Sequence, residues 1–533
     1  MASLYKKKMY VLRNILYPYY RLFIQKKYIK QLQIILNLNI AKDNTKGKLY
    51  IINSIDLASD FQSAVEFILA MYLTKRGSKV VILYDDLLKH IDRETVIMKY
   101  SFLSKNKARY LINKIISKNN KNIEFASYSS LISSGGADKI NNIAEEIYKN
   151  KTYVYNNINI DEDVKSSLIR YIHNGTTDCD SIIKKNHVLS SIFNAIVSIE
   201  VAKNSFEKYS PNNVISVHTV YSSWGPFMKY YKNKGVEPIQ WSKGQAFEDS
   251  IFITKWHNRQ NSDMYYAWQL RKEKPINEFE MKVLFSFLEK RFNRASGFTK
   301  YIKGNVSDDT VNVINKFEKD NTYAIFPNIL WDNALTDADT VFKDVMEWLE
   351  LTIKYLISIE ANIIVRAHPA EVSFMKPTIS IIDIIKKITP EINEYSKVVF
   401  VKPESSISSY WLIERIKAGI IYNGTLGLEM AIKGVPVVFG GAPPYSEYCG
   451  LQFPKTKEDY FEYIINPSLV QSKNQINKKQ LLTFMYMYFY EFEIKMPFLN
   501  DNEWAKLNFS SAKNILKEGH SVLDRIYTFI DSK

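Results

Sequence analysis

The chain has 533 residues, 46% of them hydrophobic and 14% aromatic, which is enough apolar material for two or three cores and too much for a disordered chain. Its formal charge is +15, and its two cysteines, Cys179 and Cys449, lie far apart and match no metal spacing, as expected of a reducing compartment. There is no apolar run of about 18 residues to span a bilayer, nor the apolar core and small-residue cleavage site of a secretory signal.

The first segment, residues 1–45, is basic. Lys6, Lys7, Lys8, Arg13, Arg21, Lys26, Lys27, Lys30 and Lys42 precede the first acid, Asp43, and Tyr, Phe and Leu are interleaved with them. This pattern predicts an amphipathic helix drawn to an anionic membrane surface. Nucleic acid is the competing partner, but no recognised nucleic-acid motif follows, so it is not expected. A cytoplasmic protein, peripheral at the inner face of the cytoplasmic membrane, is the implied location.

An N-terminal α/β domain is expected over 46–275. Residues 48–53 read as a strand, 61–75 as an apolar helix stopped by Gly77, and 80–84 as a second buried strand, the opening of a doubly wound sheet. Residues 90–150 read as helical and basic, and 153–160 as a strand. Helices follow around 182–208, then a strand over 213–218 that ends in His218. A helix after Gly225-Pro226 leads to a strand over 236–241 and a loop over 242–249. Residues 276–318 read as a connector, 319–490 as a C-terminal α/β domain and 491–533 as a helical tail that returns to the N-terminal half.

The C-terminal domain carries four strand ends with polar loops, the place where open α/β sheets bind ligands. Tyr323-Ala-Ile-Phe-Pro-Asn-Ile-Leu-Trp-Asp332 offers Asn328, Trp331 and Asp332. Asn362-Ile-Ile-Val-Arg-Ala-His-Pro-Ala-Glu371 offers Arg366 for a bidentate grip on phosphate, His368 as a donor to a leaving-group oxygen, and Glu371. The third loop, Lys402-Pro-Glu-Ser-Ser-Ile-Ser-Ser-Tyr410, brings Ser408 and Ser409. In the fourth, Tyr422-Asn-Gly-Thr-Leu-Gly-Leu-Glu429, Asn423, Gly424, Thr425 and Gly427 shape a turn into a helix start suited to phosphate, and Glu429 could accept from the hydroxyls of a ribose. Asp161-Glu-Asp163 and Asp337-Ala-Asp339 have metal-binding spacing, but acids are favoured at helix starts in any case, so no metal and no other cofactor is expected.

In this order, Phe-Pro-Asn-x-x-Trp-Asp, Arg-x-His-Pro-Ala-Glu, Pro-Glu-Ser-x-Ile-Ser-Ser-Tyr and Tyr-Asn-Gly-Thr-Leu-Gly-Leu-Glu resemble the bacterial capsule polysaccharide biosynthesis proteins. That group is similar to glycosyltransferases of the GT-B type, some of which transfer Kdo from CMP-Kdo. The likeness is specific over about 323–460 and thinner upstream, in Val217-His-Thr-Val-Tyr-Ser-Ser-Trp-Gly-Pro226 and Gly235-Val-Glu-Pro-Ile-Gln-Trp241. It implies a GT-B-like fold, two Rossmann-like domains facing a cleft. It also implies a metal-independent transferase that moves a sugar from a nucleotide-sugar, CMP-Kdo-like or UDP-linked, to a surface or capsule glycan acceptor, free or lipid-linked.

Sugar transfer needs the leaving phosphate stabilised and the acceptor hydroxyl deprotonated. Arg366, His368 and the turn at Thr425 are expected to do the first. Asp249 or Glu248 is preferred as base, with His218 and Asp60 as the other candidates, and Tyr221 and Trp224 offer flat faces to a sugar ring. The rival readings are a sugar-nucleotide epimerase, a CDP-polyol phosphotransferase and a non-catalytic capsule assembly scaffold.

Overall fold

The computed structural model describes residues 30–36, 38, 47–55, 60–89, 122–172, 182–244, 246–255, 263–292, 308–327, 329, 341–371, 380–443, 445, 448, 451–472, 478–500 and 507–532. Its strands are β1 (Leu49–Ser54), β2 (Lys79–Tyr84), β3 (Ile123–Ser127), β4 (Val154–Tyr155), β5 (Ile158–Asn159), β6 (Asn213–Ser216), β7 (Glu237–Lys243), β8 (Ser250–Lys255), β9 (Thr322–Phe326), β10 (Asn362–Arg366), β11 (Val398–Val401), β12 (Ala418–Ile421), β13 (Val437–Phe439) and β14 (Ile494–Lys495). The chain divides into two compact α/β units. One comprises Met1–Val164, Lys185–Trp256 and Ile494–Lys533, and the other Lys165–Lys184 and His257–Glu493.

The first unit is built on a sheet of order β14-β8-β7-β6-β1-β2-β3, whose strands from β7 to β3 are parallel. From β1 the chain proceeds outward to β2 and β3 on one side, and β6 and β7 lie on the other, so the connections diverge between β1 and β6. One face of the sheet, through Tyr50, Ile52, Val80, Ile82, Ile215 and Trp241, packs on the apolar helix Asp60–Lys75 and on the terminal helices Phe509–Glu518 and Ser521–Asp531. Tyr50 and Tyr72 fix the last of these helices, Ser521–Asp531, by donating their hydroxyls to Asp531 (2.7 Å) and Asp524 (2.6 Å). Leu32, Ile35 and Leu36, part of the basic N-terminal segment, are buried in the same core. The rest of that segment, residues 1–29 and most of 37–46, lies outside the described residues.

The second unit holds a five-stranded parallel sheet of order β11-β10-β9-β12-β13. Here too the strands diverge from the first, β9, toward β10 and β11 on one side and β12 and β13 on the other. Its core joins the helix Val345–Ser358 to the buried faces of β9, β10 and β12. Trp348 anchors this packing by donating its indole N–H to Tyr460 at 2.7 Å, and Thr352 meets the same hydroxyl at 2.7 Å. Each unit is thus a doubly wound Rossmann-like sheet, as expected from the alternation of apolar strands and helices.

Several boundaries differ from the expectation. The first unit stops at Trp256 rather than 275, because the helices Asp263–Arg271 and Glu278–Phe292, read as domain end and connector, belong to the second unit. The tail over 491–533 is no separate piece: β14 extends the first sheet through β8 and its two helices share that unit's core. Residues 123–127, read as helical, form edge strand β3 on β2. Residues 153–160 form a two-stranded hairpin instead of one strand, since Asn156 and Asn157 both take the left-handed conformation (φ 48° and 61°) of a tight hairpin turn.

Candidate functional site

Because the second sheet is parallel, the carboxyl ends of its strands share one edge, and the point where its connections diverge lies between β9 and β12. The turn after β12 is the one whose glycines and threonine stood out in the sequence. Gly424 takes φ 115°, a left-handed conformation that excludes most side chains, and its carbonyl accepts from the Tyr445 hydroxyl. Thr425 begins the helix Leu426–Ile432 without spending its hydroxyl as a cap, and Asn423, Gly424 and Thr425 are all half-buried.

Two strands away, His368 follows β10 and is solvent-exposed. Desolvation and the neighbouring Arg366 charge lower its pKa to about 4. Because the residue is exposed, the repulsion by Arg366 is the firmer of the two influences. Both act in the same direction, so near neutrality His368 is an uncharged imidazole that donates through one nitrogen.

Other residues of this edge have structural tasks. Arg366 is 3% exposed and its guanidinium donates to the carbonyls of Ala367 (3.0 Å), Lys402 and Ser405 (3.2 Å), so it binds the loop after β11 to β10 rather than offering a fork to phosphate. Ser408 caps the helix Ser409–Ile413 by accepting from the Tyr410 N–H at 3.1 Å, and Ser409 is the first residue of that helix. Glu371 is buried and accepts from the Ile381 N–H at 3.4 Å, and burial raises its pKa to about 7. Gly427 serves packing: a Cβ there would lie 2.7 Å from the Phe439 ring and 2.8 Å from Ile421. Asn328, Trp331 and Asp332 lie outside the described residues, as do Cys179, Cys449 and the Asp337–Asp339 pair.

Glu429 differs most from its expected role. It is 1% exposed, pairs with Arg291 at 2.8 Å and accepts from the Tyr410 hydroxyl at 2.6 Å. Burial, then the Glu429 charge, raises the Tyr410 pKa and keeps the phenol protonated. The carboxylate therefore ties the helix Glu278–Phe292 and the Ser409–Ile413 helix to the helix after the turn, and it is not open to a ribose. Tyr410 stood at the end of a quoted motif, but its partnership was not read from it. Arg291 carried no signal at all, because a charge in a weakly periodic stretch does not announce a contact more than a hundred positions away.

In the first unit, the divergence between β1 and β6 places His218 at the carboxyl edge, half-buried and edge-on to Trp224 (5.2 Å) and Tyr221 (5.9 Å). Tyr221 itself takes φ 72°, unusual for a bulky residue. Glu248 and Asp249 lie at the same edge, in the turn that closes the β7–β8 hairpin. Glu248 is bound to Lys243 at 2.7 Å, and the Asp249 carbonyl accepts from the Met496 N–H at 2.8 Å. Asp60 is the first residue of the helix Asp60–Lys75, and its side chain is outside the described atoms. Asp163, part of the acidic triplet, is buried and paired with Lys229 at 2.7 Å, so it supports the helix Gly225–Asn233 and not a metal.

No protein-family model and no curated protein matches the sequence. Among solved structures, the chain is similar to the KpsC beta Kdo 2,7 transferase of Thermosulfurimonas dismutans, with 13% identity, a TM-score of 0.35, and 62% of this chain and 90% of that one covered. It is also similar to a glycosyltransferase of Rickettsia africae, with 12% identity, a TM-score of 0.28, and 92% and 100% covered. A third is the UDP-GlcNAc 2-epimerase of Neisseria meningitidis, with 10% identity, a TM-score of 0.23, and 83% and 98% covered.

Proposed function

We propose that the chain is a glycosyltransferase whose second unit holds the nucleotide-sugar donor and whose first unit recognises the acceptor glycan. The observation that carries this reading is the turn Asn423-Gly424-Thr425. It stands where the second sheet's connections diverge, with a left-handed glycine and a hydroxyl not used as a cap. Such a turn lets backbone N–H groups and the Thr425 hydroxyl approach a phosphate closely, and His368 adds a neutral donor at the same edge.

In this reading the bond from the anomeric carbon to the donor's phosphate oxygen breaks while the acceptor oxygen bonds to that carbon. The departing phosphate is held by the Thr425 turn and His368, and Arg366 shapes the edge from behind. The acceptor proton goes to a base in the first unit. The candidates are Asp249, Glu248, His218 and Asp60, of which Glu248 is paired with Lys243 and His218 stands at that sheet's own divergence point. Binding of CMP, CDP, UDP and GDP by calorimetry tests the reading, with Thr425→Val and His368→Ala each expected to weaken the preferred nucleotide. A CMP preference would favour a Kdo-like donor, and UDP a different sugar class. A membrane-bound acceptor accords with the basic N-terminal segment, and vesicle flotation with anionic lipid tests that part.

A further inference from the structure

His368 is exposed at the edge that follows β10, and one neighbour holds both polar groups of its backbone. His368-Pro-Ala-Glu371 makes a single 3-10 turn, with Pro369 in the first helical position, where a missing N–H costs nothing. The Glu371 N–H donates to the His368 carbonyl at 3.0 Å. In the other direction the Glu371 carboxylate accepts from the His368 N–H. This is the returning half of a capping box, in which an acid three positions into a turn satisfies the residue that begins it. A third bond, from the Ile381 N–H at 3.4 Å, ties the same carboxylate to the start of the helix Ile381–Ile388.

The clamp carries a charge that changes near neutrality. Arg366 acts on both residues, lowering the pKa of His368 and opposing the rise at Glu371. Glu404, in the loop after β11, acts on Glu371 in the opposite sense. Asp383, on the helix Ile381–Ile388, accepts from the hydroxyl of that helix's own cap, Ser380, at 2.8 Å. Burial is the largest influence on Glu371 and raises its pKa to about 7. The carboxyl is therefore uncharged below neutrality, when Arg366 dominates the field beside His368, and ionised above it, when it offsets that cation. His368, lowered to about 4, stays neutral on both sides of this change, so the charge varies next to the ring and not on it.

We propose that Glu371 is the positioning residue of His368: it fixes the backbone that carries the imidazole, and its negative charge weakens the hold of this edge on a phosphate. A ligand has to reach only His368, which is exposed, while Glu371 acts on it from a buried place. A carboxylate beside the donor repels a phosphate anion, whereas a protonated carboxyl does not. The proposal deepens the reading of His368 as a phosphate donor and rests on that reading for its binding test. The bond between Glu371 and His368 is measurable without any ligand.

Two measurements on the full chain test it. In NMR with ring-labelled histidine, the His368 signal, assigned by its loss in His368→Ala, should shift between about pH 6 and 8 without the larger change of a protonating ring. Glu371→Gln keeps an acceptor for the His368 N–H but cannot ionise, so it should abolish that shift. The second measurement is calorimetry with CMP, CDP, UDP and GDP as probes. Over the same range, wild-type affinity for the preferred nucleotide should fall about three- to tenfold relative to Glu371→Gln, the order expected of one charge near a surface. Comparing the two proteins cancels the titration of the nucleotide itself. A merely structural glutamate would move the melting temperature and leave the His368 signal and the binding profile as they were. A His368 signal that shifts as expected in a chain that binds no nucleotide would uphold its positioning by Glu371 and reject the function proposed above, together with the effect on phosphate. A His368 signal that does not respond over this range, or responds equally in Glu371→Gln, would overturn the proposal. So would nucleotide binding with the same pH dependence in both proteins.

Discussion

Replacing Arg291 with Met leaves the Glu429 carboxylate buried without its cation. The two groups are 2.8 Å apart, with 13% of the Arg291 side chain and 1% of the Glu429 side chain exposed, so solvent neither screens the pair nor replaces the lost partner. Removing one member of such a pair costs about 3–5 kcal/mol, whereas a well-packed apolar replacement of both is near neutral. Tyr410→Phe, which deletes only the 2.6 Å hydrogen bond to the same carboxylate, should cost less, about 1.5–3 kcal/mol. Urea unfolding of the wild type, Arg291→Met, Glu429→Leu and the double variant, followed by tryptophan fluorescence, measures these values and their coupling. The single change should lower the midpoint strongly and the double change should restore much of it. A cost below about 1 kcal/mol for Arg291→Met, or a double variant as unstable as the sum of the singles, would refute the assignment of Glu429 as a buried anchor.

Three further outcomes follow from named contacts. The raised pKa of Glu371, about 7 against 4.5, means that folding favours its protonated form, so its stabilisation is full below about pH 4.5 and is lost as pH rises to 7. Glu371→Gln should flatten that part of the stability–pH curve, by on the order of 3 kcal/mol between its ends, and an unchanged slope would contradict the burial. Asp163, raised to about 6 by burial, acts in the same direction over pH 4–6, and Asp163→Asn should remove its share. In Gly225→Ala the new Cβ would fall on the Asp163 carboxylate and lie 3.1 Å from the Thr219 carbonyl, so a loss of about 1–3 kcal/mol is expected in thermal unfolding.

The two doubly wound sheets were legible because short apolar runs such as Val80–Leu83 and Ile363–Val365 alternate with longer helical ones, a pattern that admits few topologies. Strand β3 was hidden by its lysine- and asparagine-rich surroundings, and the hairpin at 153–160 by an Asn-Asn pair whose left-handed geometry shows only in the backbone. The candidate edge was legible as a set of loops, since a polar cluster after an apolar strand marks a carboxyl end. The task of each polar residue was not. Arg366 and Glu429 look like ligand contacts in sequence because charge is conspicuous there, yet both are buried and engaged by other parts of the protein. Conversely, Asn53 and Ser216 lie at or near the ends of ordinary-looking strands, and only the register between β1 and β6 shows that they align.

In the proposed function, the turn at 423–425 and His368 hold the phosphate of a nucleotide donor. Isothermal calorimetry with CMP, CDP, UDP and GDP, on the wild-type chain and on Thr425→Val and His368→Ala, tests it most directly. One nucleotide should bind in preference, and each variant should weaken it by about tenfold, the worth of roughly 1.4 kcal/mol. Absence of binding by all four, or binding unchanged in both variants, would contradict it.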